Sequence, residues 1–411
     1  MRPIVAISLA AVLTAALAHA GRPKQPHFRV LAHVDPDGGY SADVVGERHY
    51  AYLSSRKGGG EDCPALGVRV YDLVRPRHPR HISTFGRMAG TWTEKTIVRR
   101  VRTAGFDGVL AATSVQACDV NGFGGFAVFD VTRPRRPRRL ALVRTEPRGS
   151  HEIWLAAARG RAWVYTAEAA TEFALAPQSF GFHIYDVTQP RRPVEVGGWS
   201  ACRDLGDCTP VAPLPGADHR RLVHSVITNA TATRAYLSYW RLGTVVLDIS
   251  DPADPRYLGR TAPGQGNAHS AWLSKDERLL VETHELARGR PVVWSLASPR
   301  RPLELATVRL PARLRPGGAA SFGLADSVHD PKLAGRYAYF SWYGQGVPLF
   351  DLRNPRRPRY VTRFLPPPDR DEHGLLCPGS RCTGVWGVFV MPRYVLASDL
   401  NSGLWVLSRP A

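Results

Sequence analysis

One motif recurs along this chain and constrains its fold more than any other feature. It reads Gly, four mostly apolar residues, Asp, a short polar stretch and then P-x-x-P. Copies are GVRVYDLVRPRHP from Gly67, GFAVFDVTRPRRP from Gly125, GFHIYDVTQPRRP from Gly181, GTVVLDISDPADP from Gly243 and GVPLFDLRNPRRP from Gly346. Two further copies are PVVWSLASPRRP from Pro291 and the truncated GLWVLSRP from Gly403. The Asp position falls at Asp72, Asp130, Asp186, Asp248, Ser295, Asp351 and Ser408, spaced by 58, 56, 62, 47, 56 and 57 residues. Self-similarity at a near-constant period marks a repeat architecture.

Each repeat carries more than this strand. An aromatic-rich run precedes it, such as RAWVYTAE or RYAYFSW, and a shorter run such as HEIWLAA or HSVIT comes before that. A run such as RYLGRTA follows it. That makes four short strands per repeat, A to D in chain order. The GFAVFD strand is apolar on both alternating faces, Phe126 and Val128 against Ala127 and Phe129, as for a strand covered on both sides. The pattern predicts an all-β fold, a seven-bladed β-propeller of four-stranded antiparallel blades. The Asp is expected to accept the N–H groups of the next turn, and the prolines to end strand C. The last copy reaches Ala411 without a strand D. HFRVLAHV, residues 27–34, matches the strand-D runs and is expected to close the ring as the outer strand of blade seven. Residues 21–411 then form a single propeller domain. Disorder and collagen are excluded by 44% hydrophobic residues and by abundant Gly and Pro without a triplet.

Residues 1–20 read as a signal peptide: Arg2, an apolar stretch from Ile4 to Leu17, and the small-x-small site Ala18-His19-Ala20. No later segment is apolar enough to span a bilayer as a helix. The expectation is an exported monomer, periplasmic or secreted. Export makes the six cysteines readable as disulfides. Proximity pairs Cys202 with Cys208 and Cys377 with Cys382, leaving Cys63 with Cys118. Six cysteines allow 15 connectivities, so this pairing rests on nearness alone.

The repeat resembles the LVIVD-repeat family of exported bacterial propellers. The strands GVRVYD, GFAVFD, GFHIYD and GTVVLD with their Pro-rich tails carry the resemblance, as do AHSAWLSKDERLLVETHE and VHDPKLAGRYAYFSWYGQGVPLFDL. It covers essentially the whole mature chain. It implies a propeller fold and no particular reaction, since propellers host many functions.

Strand A lines the channel of a propeller. His151, His224, His269 and His329 all stand at its start, in four consecutive blades. Ala42, an Arg99/Arg100 region and Trp386 align there in the others. Converging neutral imidazoles suit one transition-metal ion, while a repeat-encoded His can equally bond a neighbouring blade's backbone. Glu152 and Asp330 follow two of these histidines and could serve as ligand, supporting partner or base. The ends of strand B place Glu168, Tyr239, Trp240, Glu282, His284, Trp342, Tyr343 and Asp399 on the same face. Acids beside aromatics suit a small polar ligand, and the same aromatics could simply pack blade on blade.

The opposite face carries the C–D turns RPRHPRH, RPRRPRR, QPRRP, SPRRP and NPRRPRY, and the chain holds 54 basic against 35 acidic residues. A ring of arginine could attract an anionic envelope polymer; no module for sequence-specific nucleic-acid binding is present. GxSxG, HExxH and P-loop motifs are absent. The sequence therefore favours a binding or interaction module, acting on a small ligand or protein through the channel mouth, over an enzyme. A metal-dependent hydrolase or oxidase using the channel histidines is the first alternative, and a polyanion-binding surface protein the second.

Overall fold

The computed structural model describes residues 26–36, 40–58, 62–119, 122–145, 149–168, 181–207, 222–263, 267–285, 289–314 and 326–410. The proposed signal peptide and Cys208 lie outside them.

Seven four-stranded antiparallel blades form a β-propeller. The innermost strands, which line the channel, are Ser41–Glu47, Thr96–Arg102, Glu152–Ala158, Val223–Thr228, Asn267–Leu273, Pro331–Ala334 and Val385–Val390. The second and third strands of each blade are almost wholly buried, and the fourth is the half-exposed outer edge. Aromatic residues fill the gaps between blades, as where Phe85 of blade one meets Phe129 of blade two at 4.7 Å.

The repeat motif has a mechanical basis. Its Asp turns back on the chain: Asp72, Asp130, Asp186, Asp248 and Asp351 each accept the backbone N–H two residues on, at 2.7–3.0 Å. Ser295 makes the same bond more weakly at 3.3 Å. The leading Gly opens strand C where strand D passes close. At Gly243 the backbone is left-handed (φ +88°), and a Cβ would lie 2.7 Å from the Thr261 carbonyl.

The ring closes through the N-terminal strand. Val30–Val34 pairs with the blade-seven strand Gly403–Ser408 in antiparallel register, Val30 opposite Leu407 and Val34 opposite Leu404. In this blade the repeat's Ser408 takes a new role, its hydroxyl accepting from the Arg29 N–H at 2.9 Å.

Candidate metal centre

In blades one, four, five and seven the ladder between the first two strands slips at the channel residue. Such a bulge turns two successive side chains to the same side. The channel is therefore built in layers. The first holds Ala42, Glu94, His151, His224, His269, His329 and Trp386, one per blade. The next residue of each strand makes the second layer: Asp43, Lys95, Glu152, Ser225, Ser270, Asp330 and Gly387.

The four histidine rings follow one another around the channel, the first pair edge to face and the next two tilted. Ring centroids are 4.5 Å apart from His151 to His224, 3.9 Å from His224 to His269 and 4.3 Å from His269 to His329. Trp386 continues the series 4.2 Å from His329. The Arg56 guanidinium then bridges the faces of Trp386 and Trp92, and Trp92 returns to His151 at 6.5 Å.

Backbone contacts set the tautomers. His224 Nδ1 lies 3.0 Å from the carbonyl of His269, and His269 Nδ1 lies 2.9 Å from that of His329. A carbonyl only accepts, so both Nδ1 atoms carry the proton. In the neutral ring each Nε2 is then a free lone pair, the arrangement that metal-bound histidines use. His224 Nε2 is 2.9 Å from His151 Nε2. His224, His269 and Glu285 offer ligand atoms within 4.8 Å of one another, as do His269, His329 and Asp330. Both ring nitrogens of His329 are buried without a hydrogen-bond partner. Burial, then the neighbouring imidazoles, hold His224 well below the ordinary histidine range; burial and His269 do the same to His329. His151 is lowered less, since Glu94 stands 3.3 Å from its Nδ1. Neutral imidazoles at neutral pH are what a cation requires.

The second layer is charged. Lys95 Nζ is 2.8 Å from Asp330, 2.9 Å from Asp43 and 3.3 Å from Glu152. Lys332 adds a cation 3.2 Å from Asp330. Burial opposes the Asp330 charge, yet Lys332 and Lys95 hold its carboxyl well below the usual range. Burial raises Asp43 and Glu152.

The strand-B residues divide into two groups. Trp240 and Tyr343 join the histidines: Trp240 stacks 5.1 Å from His224, and Tyr343 lies 5.6 Å from His329 with its hydroxyl donating to Glu285 at 2.5 Å. Burial and Glu285 raise the Tyr343 phenol well above its ordinary value. The others face protein partners. Glu168 accepts from Ser150 and Thr145, both at 2.9 Å. Glu282 accepts from Thr261 at 2.8 Å and from Thr244 N–H at 3.0 Å, and His284 turns to it at 2.5 Å rather than to the channel. Asp399 accepts from the N–H groups of Gly384, Asn401 and Ser402. Trp342 donates to the Asp326 carbonyl under Arg290. These carboxylates clip the D–A connections to the blades.

Sequence reasoning missed Glu94, Lys95, Asp43 and Glu285. The alignment placed Arg99 and Arg100 in the blade-two slot, which Glu94 and Lys95 occupy; Arg99 lies deeper, over the Trp154 ring. Cys63 pairs with Cys118 and Cys377 with Cys382, each with Cα atoms 6.4 Å apart. Cys202 is disulfide-bonded in the short helix Ala201–Leu205. Among the described residues no helix is long and apolar enough to cross a membrane.

Fold and site together define a seven-bladed propeller with a histidine-walled channel. No protein-family profile matches the chain, and no curated protein matches it. Similarity is found among solved structures. Raptor of Chaetomium thermophilum matches with a TM-score of 0.62 at 11% identity, over 94% of this chain and 30% of that one. This chain thus spans about a third of Raptor's length. The computationally designed Ika8 protein matches with a TM-score of 0.52 at 9% identity, over 92% of this chain and 99% of its own. At these identities the likeness concerns the fold alone.

Proposed function

We propose that this protein is an exported, LVIVD-type metal-binding propeller. One transition-metal ion sits in the channel between His224 and His269, whose donor atoms lie with one of Glu285 within 4.8 Å of one another, and His151 and His329 flank it. Glu94 and Glu285 stand beside it, and Trp240 and Tyr343 wall a mouth that receives a small ligand or partner. The observation that carries this reading is the pair of Nδ1–H to carbonyl contacts, which leave the Nε2 lone pairs of His224 and His269 free beside further donors. Imidazole donors suit zinc, copper, iron or nickel. The test is the metal content of mature protein purified without chelator. Near one equivalent of a single metal is expected, lost in a His224→Ala/His269→Ala variant whose circular dichroism is unchanged. Protein that stays metal-free after reconstitution with each of the four metals would refute the reading.

A second reading concerns the opposite face. The C–D turn arginines, such as Arg75, Arg133, Arg191, Arg300 and Arg356, are exposed. They support docking of an anionic envelope polymer. Binding to lipopolysaccharide should then weaken steeply with salt through counterion release. A flat salt response would remove this reading.

A further inference from the structure

Next to the charged layer lies a cavity of about 150 Å³. At ~30 Å³ per water it could hold about five waters or one small organic molecule. Its ceiling includes Asp43, Lys95 and Glu152, and its walls include Ile97, Ile227, Trp154, Trp272 and Phe389. Arg99 and Lys332 line it as well.

The ceiling is incompletely satisfied. Lys95 reaches one oxygen of each carboxylate, Asp43 Oδ2 and Glu152 Oε2. The other oxygens, Asp43 Oδ1 and Glu152 Oε1, are buried without a hydrogen-bond partner. The two residues are only 4% and 3% exposed. A buried carboxylate oxygen left without a donor is costly, so a site that keeps two of them calls for a donor from outside. Lys95 and Lys332 contact the carboxylates of this layer and still leave these two oxygens unmet.

We infer that this cavity binds a small primary amine as its ammonium ion, with an apolar body. The N–H groups of the ammonium meet Asp43 Oδ1 and Glu152 Oε1. Its hydrocarbon lies against Ile97, Ile227, Phe389 and the two tryptophans. Arg99 and Lys332 stand on the faces of Trp154 and Trp272, at 5.2 and 4.6 Å. A second ammonium on the ligand would meet these cations, so a monoamine is preferred to a diamine.

Calorimetric titration of the mature chain with butylamine, 1-butanol and 1,4-diaminobutane tests this. Repeating it with metal-loaded and metal-free protein separates the result from the metal proposal. Butylamine should bind and butanol should not. Glu152→Gln and Asp43→Asn should each weaken butylamine about tenfold or more, the worth of a charge-assisted hydrogen bond. These variants are isosteric, and circular dichroism verifies each; either folded variant suffices. Equal binding of butylamine and butanol, binding of neither, a stronger diamine, or unaltered affinity in a folded variant would overturn the inference.

Discussion

Lys95→Met would show how far one ammonium holds the channel together. The Lys95 side chain is 7% exposed and contacts three carboxylates, from blades one, three and six. Methionine keeps most of the volume and removes the charge. Lys332 would remain as the cation of the layer, touching Asp330 alone. Removing one partner of a buried ion pair costs about 3–5 kcal/mol, because the other is left uncompensated. Unfolding entropy is about 2.1 cal/mol/K per residue. For 411 residues that gives about 0.9 kcal/mol/K, hence a fall of about 3–6 °C in melting temperature. The pH dependence supplies a second signature. Without Lys95, burial and mutual repulsion raise the Asp43 and Glu152 carboxyls further, and Asp330 loses part of what holds it low. A carboxyl raised in the folded state binds more protons there than when unfolded. Stability then falls as pH rises from the ordinary carboxyl range towards neutrality. The deficit of the variant should therefore be largest near pH 7 and shrink towards about pH 4.5. Thermal unfolding followed by circular dichroism at both pH values measures it. Adding Glu152→Gln should recover part of the loss, as coupled neighbours do. A melting temperature within a degree of wild type, or a deficit equal at both pH values, would refute the reasoning.

Three other outcomes follow from the same geometry. Glu282→Ala removes the acceptor shared by Thr244 N–H, Thr261 and His284; it should cost about 3–5 kcal/mol in urea unfolding and leave metal content unaltered. Cys63→Ser with Cys118→Ser opens a link across 55 residues; chain entropy sets the loss at up to about 4 kcal/mol under non-reducing conditions. Metal-free protein should lose stability as pH falls below about 6.5, because the unfolded chain takes up protons that His224 and His329 refuse while folded. His224→Gln with His329→Gln should flatten that decline in urea titrations at about pH 7.5 and pH 5.

The repeat was legible because one strand per blade is buried on both faces and ends at an Asp that must cap its own turn. Ring closure was legible because the last copy lacks a partner and residues 27–34 supply its pattern. The histidines stood out as one residue type recurring at one strand position. What escaped was set by hairpin length. His151 precedes Ala162, the residue opposite Ala157 in the next strand, by 11 residues. In blade two the equivalent distance, Glu94 to Val109, is 15, because the hairpin around Arg102 and Asp107 is longer. An alignment by spacing therefore slid past Glu94 and Lys95 to the arginines beyond. Local pattern also could not show that Glu168, Glu282 and Asp399 spend their oxygens on protein donors. That depends on connections arriving from elsewhere in the chain, and the same holds for Glu285, which becomes part of the site only through Tyr343 and His269.

The closing strand gives this ring a test of its own completeness. Arg29 N–H and Ser408 meet across 379 residues of chain. Closing a loop of that length costs about 5 kcal/mol in chain entropy, and nothing can repay it until the far end exists. Val30–Val34 leaves the ribosome hundreds of residues ahead of its partner and must wait unpaired. A chain truncated anywhere in blade seven would keep that strand as an open edge, a template for aggregation and a handle for proteases. The last join thus works as an inspection step: only a molecule translated through its final blade can hide its first strand.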